Sequence, residues 1–231
     1  MSESLPPAAS KVMGWIGLLS VALFVVAFIV CGSLNPDFDL LRDHISKLGA
    51  RGEPNALLWN GIGFASVGLG LASFGWLLGS AYGDRLLGGC LVMSGVGFAM
   101  GAVPTDFEVP DSPASAAHFV AICFALAGWF LALARLVQSP LSDEITKTAV
   151  RYAIGLMLLP LIAQGGEMID EAAAHRLLLL VVFGWITFIS ARSLLYPDAV
   201  VSQDPAINED PAINKEQDPA ISPAPVRREV E

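Results

Sequence analysis

Basic residues are scarce in this chain, with 13 lysines and arginines against 22 aspartates and glutamates and a formal charge of -9 over 231 residues. That balance excludes nucleic-acid binding, which needs clustered Lys and Arg against phosphate. Cysteine is scarcer still. Cys31, Cys90 and Cys123 stand singly inside apolar runs with no CxxC spacing, which excludes a zinc knuckle or a disulfide scaffold and reads as three buried thiols. Only three histidines are present, and neither HExxH nor any comparable local signature occurs. Charged residues make up 15% of the chain and hydrophobic ones 54%, with a mean hydropathy of +0.61. A soluble domain does not need so much apolar side chain to fill its core, so the composition points to the bilayer.

What fills the chain is six apolar runs, at 13–32, 56–81, 86–103, 116–137, 149–163 and 174–195. Each suits a helix crossing a hydrocarbon core about 30 Å thick. The fifth is short and carries Arg151 and Pro160, and a membrane helix tolerates proline when neighbours re-satisfy the freed carbonyl. The first run is too long for a usual signal-peptide core and lacks an A-x-A cleavage pattern, so it reads as an anchor. The expected architecture is therefore all-α, a polytopic six-helix transmembrane bundle. Residues 1–12 form a short cytoplasmic N-terminus and 13–195 the bundle.

Topology follows from the positive charges. With the N-terminus cytoplasmic, that side receives Lys11, Arg85, Arg135, Lys147, Arg151 and Arg192, plus Lys215, Arg227 and Arg228 of the tail. The opposite side receives Arg42, Lys47, Arg51 and Arg176. The excess predicts an integral cell-membrane protein with both termini cytoplasmic. Gly75 with Gly79, Gly97 with Gly101, and Gly68 with Ala72 are small-xxx-small pairs that let helices approach closely. They predict packing within one bundle, with a homo-oligomer face as the alternative. From Tyr196 onward the composition turns acidic and proline-rich, with DPAI units at Asp204, Asp210 and Asp218. Such a segment buries too little to offset its ordering entropy, so 196–231 is expected to be a disordered tail.

The stretch "LRDHISKLGARGEP", residues 41–54, is a charged island between the first two runs. Asn35 suits an N-cap, Pro36 the first helical position and Gly49 the C-terminal cap, while Phe38, Leu41, Ile45 and Leu48 share one stripe. This predicts a short interfacial helix after the first span. It carries His44 and Ser46. The other histidines, His118 and His175, open the fourth and sixth spans on the same side of the membrane, where Asp106 ends the third span and Glu167 the fifth. Arg176, beside His175, is the cation expected to pair with those two acids, with lipid phosphate as its plainer partner.

Together His44, Ser46, Asp106, His118, Glu167, His175 and Arg176 define a candidate outer pocket. Ionisable groups at a membrane interface are costly unless paired, which marks them as functional candidates. The leading expectation is recognition of a membrane lipid headgroup or small polar ligand. An alternative is a metal-dependent hydrolase or lipid-remodelling enzyme, in which His44, His118 and His175 hold a divalent metal such as zinc, or a His–carboxylate pair activates Ser46. The plain alternative is histidines that bond loop backbone. A transporter is weaker, because few ionisable groups fall at the midplane.

Several of these elements recur in one family. "HISKLGARGEPNALLWNGIGF", with Ile45-Ser46, Leu48-Gly49, Pro54 and Asn60-Gly61, is followed by "GAVPTD" ending at Asp106, then by His118 and by His175-Arg176. In that order they resemble the prokaryotic membrane family called domain of unknown function 998, over about residues 10–195. The resemblance implies a multi-pass protein without an established activity. A more distant similarity to six-helix proteins of the Frag and DRAM type, some connected with lipid remodelling of GPI anchors and others with autophagy, implies a lipid-facing role by analogy.

Overall fold

A computed structural model describes residues 7–197, and every described element is helical. Helix α1 covers Pro7–Ser33, α2 Ala56–Ala81, α3 Arg85–Met100, α4 Pro113–Gln138, α5 Glu144–Gly165 and α6 Glu171–Leu195. Five of the six are long and apolar enough to cross a membrane, and α3, with 16 residues, is shorter. At 1.5 Å per residue it is about 24 Å long. The expected tail lies almost wholly outside the described residues, as do the first six residues.

Helices α3 to α6 begin earlier than their apolar runs do, because polar caps extend them. Asp143 accepts the backbone N–H of Thr146 at 2.8 Å, Asp170 that of Ala173 at 2.6 Å, and Ser112 that of Ser115 at 3.2 Å. Each satisfies an N-terminal N–H that no intrahelical carbonyl reaches. Pro113 then takes the first helical position of α4. Asp84 caps α3 through Leu86 and Leu87, both at 3.0 Å.

Helices α2, α3 and α4 pack in sequence, α1 packs on α2 and α6, and α5 leans on α6 and more lightly on α4. Small residues set the spacing of the first three. A Cβ added at Gly79 would stand 2.3 Å from Gly88 Cα, one at Gly95 2.3 Å from Ala72 N, and one at Gly97 2.6 Å from Ala125 N. The glycine pairs legible in the sequence therefore face neighbours in the same chain. Cys31 and Cys90 are buried, but Cys123 is exposed on α4, contrary to expectation. Its setting is apolar all round, and a lipid-facing helix surface is as apolar as the interior, so composition cannot tell the two apart.

Inside α2, residues Asn60–Ser66 widen into a π-helix. The short helix expected after α1 is present as a 3-10 turn, Ile45–Gly49, and residues 35–43 fold as turns rather than extending it. Asn35 explains this. Its carboxamide oxygen accepts the N–H of Asp37 at 3.1 Å, while its Nδ2 donates to Glu53 at 2.7 Å, so the side chain closes a local turn across the loop. Phe38, Ile45 and Leu48 are buried as the stripe predicts, whereas Leu41 is 80% exposed.

Candidate functional site

All three histidines lie at one end of the bundle, the end where segments 34–55, 101–112 and 166–170 connect successive helices. The first segment is knit by its own polar groups. Lys47 Nζ donates to Asp43 Oδ2 and to the carbonyl of Asp37, both at 2.8 Å, and Asp43 also accepts the N–H of Asp39 at 2.9 Å. The hydrogen bond from Lys47 holds the Asp43 carboxyl below its ordinary range. Arg51 N–H donates to the carbonyl of Thr105 at 2.8 Å, and Asn60 Nδ2 to that of Gly49 at 2.8 Å. The loop is thus tied to 101–112 and to the π segment of α2.

Arg176 fastens this loop to α6. Its Nε donates to the carbonyl of Leu40 at 3.2 Å, its Nη2 to the carbonyl of Asp43, and its Nη1 to Ala172 of its own helix at 2.9 Å. The guanidinium expected to pair with Asp106 or Glu167 bonds backbone carbonyls instead, because the planar fork reaches several acceptors at once. The consequence is positional. His44, next after Asp43, is set with its ring 5.6 Å from that of His175 and 6.4 Å from that of Phe107. Glu171, one turn before His175 on α6, places Oε1 3.8 Å from His175 Nε2. One donor atom each from His44, Glu171 and His175 fall within 4.8 Å of one another. Among the described residues, no ring nitrogen of His44 or His175 has a hydrogen-bond partner.

The remaining expected residues have other contacts. His118 is buried with Nδ1 3.1 Å from the carbonyl of Val103. Since a carbonyl only accepts, that nitrogen carries the proton. Its ring meets Phe64 edge-on at 5.7 Å, joining α4 to the preceding loop and to the π segment. Asp106 shapes that loop: Oδ1 accepts the N–H groups of Glu108 and Val109 at 3.1 Å, its N–H donates to Ser115 Oγ at 3.0 Å, and Oδ2 lies 3.9 Å from Arg51. Glu167 ends α5 with φ +56°. Its N–H bonds Gln164 O at 2.9 Å and that of Met168 bonds Ala163 O at 2.8 Å, the pair of bonds of a Schellman stop. Ser46 lies half-buried on the 3-10 turn beside His44.

The structure therefore brings donor atoms of His44 and His175 together with Arg176 bracing the loop beside them, while Asp106, His118 and Glu167 are engaged in local backbone contacts. Glu171 is the member sequence reasoning left out of the set. Its signal was the E-A-A-A-H spacing, which puts two donors on one helix face.

No curated protein and no solved structure matches the chain. Residues 18–192 match the model of the family described as Protein of unknown function (DUF998), and this multi-pass membrane protein belongs to that family.

Proposed function

We propose that this protein binds a lipid headgroup or small polar ligand at its histidine end, which faces outward from the cell membrane with both termini cytoplasmic. The excess of Lys and Arg at the opposite end supports that orientation. The observation that carries the reading is the convergence of His44, Glu171 and His175 without hydrogen-bond partners on the ring nitrogens. Polar groups at a membrane interface that are spent on internal bonds, such as Asp106 and His118, build the fold. Those left unspent are available to a ligand. Phe107 supplies an apolar wall beside His44.

The test is thermal unfolding of the full chain in nanodiscs of phosphatidylglycerol, phosphatidylethanolamine or phosphatidylcholine, with soluble glycerophosphate as a headgroup without chains. A bound ligand raises the midpoint, at about 2–4 °C per kcal/mol for a chain of this size. One phosphate headgroup should raise the wild-type midpoint above the others, and His44→Ala and His175→Ala should abolish the difference. Identical ordering of lipids in wild type and both variants overturns the reading.

A further inference from the structure

We propose that His44, Glu171 and His175 form a divalent-metal site for a zinc-like first-row ion. This deepens the headgroup reading above and rests on the same three side chains. The donor set is two imidazoles and one carboxylate. Imidazole nitrogen suits zinc, nickel, copper or iron(II), whereas magnesium and calcium select oxygen. The three donor atoms lie within 4.8 Å of one another and one pair is already at 3.8 Å. Donors sharing a tetrahedral zinc at about 2.0–2.1 Å stand about 3.4 Å apart. For Glu171 and His175 side-chain rotation closes that difference, since they occupy one face of α6 an i, i+4 step apart.

The third donor distinguishes this from an ordinary exposed Glu–His pair. His44 comes from a distant segment, held by two backbone bonds that Arg176 makes to the carbonyls of Leu40 and Asp43. Neither ring is committed elsewhere among the described residues, so each offers a lone pair. Three protein ligands leave a fourth position open. At an interface with an apolar wall at Phe107, that position takes an anionic oxygen, which is the phosphate or carboxylate of the ligand. His118 stands outside this set, because the donor atoms that converge within 4.8 Å are those of His44, Glu171 and His175, and its own Nδ1–H is given to the Val103 carbonyl.

The experiment uses the full chain purified in mild detergent without chelator, with no added lipid. Zinc is counted by mass spectrometry, and zinc is then titrated calorimetrically into chelator-stripped protein. About one equivalent is expected in wild type. Glu171→Gln, a conservative change at an exposed position, should weaken zinc at least tenfold, as should His44→Ala and His175→Ala. Ser46→Ala, beside the site but outside it, should bind as wild type does. Absence of zinc binding in folded wild type overturns the inference, and so does Glu171→Gln binding with unchanged affinity. If zinc fails while histidine-dependent lipid discrimination survives in chelator, the metal inference falls and the headgroup reading stands. If zinc binds with the expected dependence and no headgroup discriminates, the reverse holds.

Discussion

Glu167 shows at the residue scale how a chemically suggestive side chain can hold a position for its backbone. It occupies the left-handed region at φ +56° in the stop after α5, where a side chain costs about 1–2 kcal/mol that glycine avoids. Part of that gain returns through the greater freedom of glycine in the unfolded chain. Glu167→Gly should therefore raise stability by about 0.5–1 kcal/mol, visible as a higher midpoint in detergent. A lower midpoint would mean that the carboxylate itself makes a stabilising contact. Met168, which completes the stop, is 70% exposed, so the backbone bonds rather than packing end the helix.

At the scale of elements, the closest contacts are those of α2 with α3 and of α3 with α4. In lipid there is no hydrophobic drive between helices, so van der Waals contact at close range carries the association. Gly95 meets backbone rather than the mobile end of a side chain, with Ala72 N at 2.3 Å and Gly68 O at 2.7 Å from an added Cβ. The helices themselves must separate to admit a side chain. Gly95→Val should cost about 1–3 kcal/mol, measured by unfolding in mixed micelles. Gly89→Ala, whose Cβ meets nothing within 4 Å, should be close to neutral. Equal losses in both would sink the close-packing account. The π-helix in α2 belongs to this scale too. Its wide turn seats Asn60 under Gly49 and Phe64 against His118, joining the loop to the bundle beneath the candidate site.

Across the whole molecule, α5 is the outlying helix, leaning chiefly on α6. An apolar groove of about 580 Å³ runs between the two, past Leu156, Pro160, Val181 and Gly184. Their closure comes at the end opposite the histidines, where Arg192 of α6 grips Asp143. Two bonds of 2.9 and 2.6 Å reach the carboxylate and a third of 2.7 Å reaches Thr146. That grip lowers the Asp143 pKa from 3.8 to about 2, with the Arg192 hydrogen bonds as the largest cause. A folded-state pKa below the unfolded one adds stability that is complete at neutral pH and is lost as pH falls from about 4 to about 2. Solvent screening at this partly exposed pair leaves on the order of 1 kcal/mol of that shift as stability. Wild type should lose that much across this window, while Asp143→Asn should start lower at pH 7 and change less. Parallel pH curves for the two proteins would refute the clamp.

The membrane class, six helices and their approximate spans were determined by the sequence alone, because twenty consecutive apolar residues have few other stable states and polar residues mark the gaps. The histidine end was legible for the same reason: helix starts and stops assign each side chain to one end of its span. The three histidines illustrate what was not. Which of His44, His118 and His175 approach one another depends on the Arg176 bonds to loop carbonyls and on the Val103 carbonyl that takes His118. The side of α4 on which Cys123 lies was equally hidden. Backbone carbonyls are the same at every position of a sequence, and lipid and protein interior are equally apolar. Only the tertiary structure decided which carbonyl, and which face, each side chain would meet.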